Sequence, residues 1–87
     1  MSILMALVVA YHRRSRGLPF DPDNIRYLMH FYEDPDLVTE ARAKLAELEA
    51  FDAAMGGKLE QRDYDQGVQL KTLRFMLSDF DKGPKNA

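Results

Sequence analysis

The densest group of chemically capable residues is a short basic run, His12-Arg13-Arg14-Ser15-Arg16. Arginine guanidinium groups present paired N–H donors that match phosphate oxygens. Arg13, Arg14 and Arg16 are therefore candidates for contacting the phosphates of a nucleotide or nucleic acid. Cations also stabilise the last turn of a helix through its dipole, and this run follows an apolar stretch that could form one. We keep phosphate binding as the alternative function.

His30 and Glu33 form a second candidate, because a spacing of three residues places both on one face of a helix. Asp34 follows directly, but a metal site needs three or four ligands on converging elements, so this cluster is a weak signal. The chain has no cysteine, no Gly-x-Ser-x-Gly elbow and no glycine-rich phosphate loop. We therefore predict no catalytic residues, no metal and no cofactor, and a non-enzymatic protein.

Composition restricts the classes of partner. The 87 residues include twelve lysines and arginines against fourteen acidic residues, a formal charge of −2, so nucleic acid is an unlikely partner. The apolar run 3–11 is shorter than the roughly 20 residues that cross a bilayer. The arginines lie after this apolar run, whereas a secretory signal carries its positive charges before the apolar segment. We expect a cytoplasmic protein with no membrane partner, and the absence of cysteine fits a reducing compartment.

Helix start and stop signals divide the chain into four segments. Two Asp-Pro-Asp sequences, beginning at Asp21 and Asp34, each supply a capping aspartate followed by a proline suited to the first turn. Val8 and Val9 would allow a strand in the first segment, but no second strand is available to pair with it. The predicted helices cover about Ile3–Arg14, Pro22–Tyr32, 35–55 and Leu59–Asp81.

These segments predict an all-α fold. Gly56-Gly57 makes a tight turn, so the third and fourth helices should form an antiparallel hairpin against which the two shorter helices pack. Gly67, inside the fourth predicted helix, indicates either a close contact with another helix or a slight break. We expect one small four-helix domain over residues 1–82 and a flexible tail at 83–87.

Three of the four helices carry more apolar surface than one small core needs. The first is apolar all round. The second has Ile25, Leu28, Met29 and Tyr32 on one face, with Tyr27 and Phe31 directed away. The fourth has an apolar side formed by Leu70, Leu73, Met76, Leu77 and Phe80, and an opposite cluster formed by Tyr64, Val68 and Phe75.

Two arrangements would accommodate this surplus. One is a tightly packed monomer in which a central helix touches all the others. The other is an interface with another protein or with a second copy, since large exposed apolar patches mark such sites. We favour the interface, and predict a protein–protein interaction module, such as an adaptor, assembly factor or inhibitor, that forms a homodimer. The candidate partner-binding residues are Tyr64, Val68, Phe75, Tyr27 and Phe31, joined by Leu4, Leu7 and Val8 if the first helix docks outside the monomer.

Overall fold

A computed structural model describes residues 2–82, apart from the side chains of Asn24, Ile25, Tyr27 and Leu28. The predicted tail at 83–87 lies outside the described residues. The described part of the chain contains four helices and no strand, which confirms the all-α class. The helices are α1 (Ile3–Ser15), α2 (Pro22–Glu33), α3 (Pro35–Ala54) and α4 (Asp65–Lys82).

Both Asp-Pro-Asp sequences begin a helix. The aspartate side chain accepts a hydrogen bond from the backbone N–H two residues further on, at 2.9 Å for Asp21 and 3.0 Å for Asp34. The proline follows in the first turn, where a helix has no use for the missing N–H. The predicted starts at Pro22 and Pro35 are therefore confirmed.

The predicted start of the fourth helix was wrong. α4 begins at Asp65, and the preceding residues from Met55 onward form turns rather than a helix. Leu59 is fully buried in the core, and the Asp52 carboxylate accepts a hydrogen bond from the backbone N–H of Glu60 at 2.9 Å. These contacts hold the segment in a folded-back loop, so tertiary packing overrides its local helical pattern.

Gly67 explains how this loop fits against α4. A Cβ atom at this position would lie 2.5 Å from the carbonyl oxygen of Arg62 and 2.7 Å from that of Leu59. Glycine therefore permits a close approach between the first turn of α4 and the loop. Gly67 therefore marks a close contact with the loop rather than with another helix, and the predicted helix is interrupted just before it, at Asp65.

The hairpin of α3 and α4 is antiparallel, as predicted. Arg42 of α3 pairs with Asp81 of α4 at 2.6 Å, and Glu49 pairs with Arg74 at 3.3 Å, so residue numbers rise along one helix as they fall along the other. The two helices are joined by the loop 55–64 rather than by a tight turn at the two glycines alone. Gly56, near the start of this loop, has a φ of 66°, a backbone conformation that favours glycine.

α1 packs against α2, α3 and α4, and α3 likewise packs against the other three helices. Leu4, Leu7 and Val8 are buried within the monomer, so the option in which they dock outside it is wrong. Val9 and Ile3 are exposed, so α1 is not covered on every side as its composition suggested. No helix in residues 2–82 has both the length and the apolar character needed to cross a membrane.

The predicted faces of α2 are reversed at two positions. Phe31 is only 1% exposed, whereas Met29 is 64% exposed. The Phe31 ring packs edge-on against Phe80 of α4, with 5.8 Å between ring centroids, and Tyr32 stacks on the same ring at 6.2 Å. Periodicity identified two apolar sides of α2, but contact with Phe80 determines which side faces the core.

Candidate functional site

The main candidate site is a groove of about 520 Å³ where α1, α2 and α4 meet. We call it the Asp79 groove. Its walls are mainly aromatic and apolar, with one acidic and one basic side chain among them. The residues that matter below are Tyr11, Arg14, Met29, Tyr32, Phe75 and Asp79.

Asp79 is held in place by a tyrosine of α1. The Tyr11 hydroxyl donates a hydrogen bond to Oδ2 of Asp79 at 2.5 Å. Burial, the hydrogen bond to Asp79 and the charge of that carboxylate together raise the pKa of Tyr11 well above its ordinary value of 10.0. Burial, followed by the charge of Asp79, also raises the pKa of Tyr32. Both tyrosines are therefore uncharged hydrogen-bonding groups at neutral pH.

No pattern in the sequence indicates this pairing. Asp79 lies in a polar sequence context like those of Asp63, Asp65 and Asp81, which predicts a solvated surface charge at all four positions. Asp79 is instead half-buried beside Tyr11, 68 positions away in the sequence. A contact between such distant residues leaves no local pattern, so the expectation for Asp79 was wrong.

Arg14 lines the same groove from α1. Its positive charge lowers the pKa of Tyr11 and of Tyr32, which partly offsets the effects of burial and of Asp79. Among the residues that the structure describes, neither Arg14 nor Asp79 belongs to an ion pair. The groove thus contains two opposite charges that do not neutralise each other by direct contact.

Two large apolar side chains project beside these charges. Phe75 of α4 is 65% exposed, and Met29 of α2 is similarly exposed. The Phe75 ring lies 6.3 Å from the Tyr11 ring, centroid to centroid, so the aromatic wall continues from the groove onto the surface. Residues from three helices therefore form one apolar surface.

A smaller cleft of about 150 Å³ lies on the other side of Phe75, between α1 and α4. We call it the Val68 cleft, because Val68 and Phe75 both line it. It also contains basic side chains, of which Lys71 pairs with Asp63 at 3.1 Å and Arg16 pairs with Asp63 at 3.7 Å. The structure thus brings Val68 and Phe75 together.

The other predicted partner-binding residues lie elsewhere. Tyr64 is 59% exposed but lines neither the Asp79 groove nor the Val68 cleft. The guanidinium of Arg62 lies over its ring, 5.7 Å from the centroid. Phe31 is in the core, where another protein does not reach it without rearrangement of the fold. The side chain of Tyr27 lies outside the described residues.

The three arginines of the basic run have different surroundings. Arg13 donates a hydrogen bond to the carbonyl oxygen of Pro19 at 2.7 Å, Arg16 pairs with Asp63, and Arg14 lines the Asp79 groove. They do not converge on one point, although each remains exposed at the surface. Phosphate binding through these residues stays a prediction.

His30 and Glu33 are both exposed. Within the described part of the chain, no three histidine, aspartate or glutamate side chains lie close enough together to hold a metal ion.

Comparison with known proteins adds no assignment: no protein-family model matches the chain, and neither a curated protein nor a solved structure matches it. The molecule is therefore defined by its fold and surface, as a small all-α protein with an aromatic groove beside exposed apolar side chains.

Proposed function

We propose that the chain is a small non-enzymatic protein-interaction module, an adaptor, assembly factor or inhibitor, that docks through the surface around Phe75. The observation that carries this proposal is the position of Phe75 and Met29. They come from different helices, both are about two-thirds exposed, and both border the Asp79 groove. Tyr11 and Tyr32 extend the same surface into the groove, and Val68 extends it on the far side of Phe75.

Grouping, rather than exposure alone, distinguishes this surface. Single exposed apolar residues are normal on a soluble protein. Aromatic residues and methionine are enriched in the buried centres of protein interfaces, and here they line one groove together. Burying a phenylalanine or methionine side chain contributes about 1.5–3 kcal/mol relative to leaving it in water. A protein partner that covered both would gain binding energy that neither residue contributes to the isolated fold.

The cytoplasm is the compartment we propose for this activity. The absence of cysteine is compatible with a reducing environment, in which disulfides do not form. Measurement of where a tagged chain accumulates in its own cells tests this part of the proposal.

A photo-crosslinking amino acid in place of Phe75 tests the proposed surface directly. We expect discrete crosslinked products when the protein is irradiated in its own cells. The same substitution at Phe51 is the matched control, because Phe51 is also an exposed phenylalanine but lies on α3, away from both the Asp79 groove and the Val68 cleft.

A second substitution, Met29→Glu, makes the test specific to the surface. The Phe75 products should disappear with this change, while the circular dichroism spectrum stays the same because Met29 is exposed. Products of similar yield at Phe51, or products that survive Met29→Glu, would show that the surface has no particular affinity for protein.

A further inference from the structure

The two charges of the Asp79 groove differ from those in the groove between α3 and α4. There Arg42 pairs with Asp81, and Arg74 pairs with Glu49 of α3 and with Glu60 of the loop before α4. Of the charged residues that line this groove, Lys82 alone has no ion pair among the described residues. Arg14 and Asp79 border a groove of similar size without an ion-pair partner in the described residues. Their charges are therefore available to an external molecule.

The combination of charges favours one kind of occupant. A partner surface with only positive or only negative groups would satisfy one of the two residues and repel the other. A second copy of the same chain presents both signs. In an interface with twofold symmetry, if residue i of one copy contacts residue j of the other, then j also contacts i.

We propose that a second copy of this chain occupies the Asp79 groove, with Arg14 of each copy paired to Asp79 of the other. This inference rests on the proposed function, because it names the partner that the surface binds. The two contacts are related by the twofold axis and form together.

The proposed dimer would also cover the exposed apolar residues of the groove. Phe75 and Met29 border the groove from α4 and α2, respectively. A twofold axis through the groove covers both side chains of both copies at once. Charge complementarity fixes the orientation of the two copies, while burial of Phe75 and Met29 supplies affinity.

Charge reversal at the two positions tests the pairing. In the Arg14→Asp variant, both symmetry-related contacts of the dimer would bring two aspartates together. In the Asp79→Arg variant, both would bring two arginines together. We expect each variant to weaken self-association by at least about 30-fold, measured by analytical ultracentrifugation, since disrupting a desolvated charge pair has effects of this order.

An equimolar mixture of the two variants should recover a dimer that contains one copy of each. In that mixed dimer one contact joins the new aspartate to the new arginine, and the other joins the original Asp79 to the original Arg14. Both contacts are attractive, whereas both contacts are repulsive in either variant alone. Native mass spectrometry distinguishes the mixed dimer from the two symmetric ones.

Matched controls change the same charges elsewhere. Lys58→Asp and Glu40→Arg alter exposed residues that line neither the Asp79 groove nor the Val68 cleft, and both should dimerise like the unmodified chain. If Asp79→Arg does not fold, Asp79→Asn replaces it. That change keeps an oxygen acceptor for Tyr11 and removes only the charge, so it should also weaken the dimer.

Three outcomes overturn the inference. The first is a wild-type chain that stays monomeric at millimolar concentration. The second is a dimer that single charge reversals leave intact, and the third is a mixture of variants that stays monomeric. A monomeric chain that crosslinks through Phe75 to another protein would refute the dimer but keep the proposed function. No crosslinks at all would refute both.

Discussion

The two grooves that flank α4 have similar volumes, about 520 Å³ for the Asp79 groove and about 580 Å³ for the groove between α3 and α4. Their chemistry differs. In the α3–α4 groove, Arg42 and Asp81 bridge the two helices at 2.6 Å, and Arg74 reaches Glu49 at 3.3 Å. In the Asp79 groove, among the residues that the structure describes, the one polar contact that joins two helices is the hydrogen bond from Tyr11 to Asp79.

This difference shows that the size of a groove does not identify a binding surface. Charges that already pair within the chain gain little from an external partner, because a new contact must replace an existing one. α3 offers α4 side chains of opposite sign in matching register. α1 and α2 offer tyrosine and methionine instead, so half-buried Asp79 has a neutral hydrogen-bond donor beside it rather than a cation, and Phe75 stays largely exposed.

The largest effect on stability should come from the side of α4 that faces the core. Leu73 is fully buried, so Leu73→Ala should lower the free energy of unfolding by about 2–5 kcal/mol through lost burial and an added cavity. Phe75→Ala should change it by less than about 0.5 kcal/mol, because Phe75 projects from the surface. Urea denaturation measures both. Equal losses would show that Phe75 is part of the monomer core.

A substitution in the first turn of α4 should cause a smaller loss of stability. Gly67→Ala forces a methyl group against the carbonyl oxygens of Arg62 and Leu59, and should cost about 1–3 kcal/mol by overpacking. Gln66→Ala, one position earlier, is the matched control and should have little effect. Unchanged stability for Gly67→Ala would mean that the loop moves away from α4 without penalty.

High pH should weaken the contribution of the Asp79 groove to folding stability more than that of the α3–α4 groove. The pKa values of Tyr11 and Tyr32 are both raised by the fold, so folding favours their protonated forms. Their contribution to stability is complete below the unfolded pKa of 10.0 and is lost progressively as pH rises above it. Urea titrations between pH 8 and about 11 should show this fall. Tyr11→Phe should reduce it, and an unaltered slope in that variant would argue against the Tyr11–Asp79 contact.

The smallest effects compare two aspartates on α4. Asp79→Asn weakens the hydrogen bond from Tyr11 and should cost about 1 kcal/mol. Asp81→Asn removes the charge that pairs with Arg42 on the exposed surface, and should lower the melting temperature less than Asp79→Asn does. Thermal unfolding at low protein concentration separates these intrinsic effects from association. If Asp81→Asn destabilised the fold more than Asp79→Asn, the paired charges of the α3–α4 groove would matter more to stability than the Tyr11–Asp79 hydrogen bond.

Much of the local structure could be predicted from the sequence alone. Asp21 and Asp34 start helices because a capping side chain reaches a backbone N–H only two or three residues away. The turn at Gly56-Gly57 is also a local property, because glycine itself tolerates the backbone angles that the turn requires. The separation of Phe75 and Val68 from the core side of α4 follows from helical periodicity within one element.

Only the tertiary structure decided how these elements meet. Leu59 leaves its predicted helix because the core accommodates it, and α2 buries Phe31 rather than Met29 because Phe80 lies beside it. Tyr11 and Asp79 become partners through the packing of α1 on α4. Such contacts join residues far apart in the chain, so their energy depends on the position of a whole helix. No local pattern of residue types encodes that position.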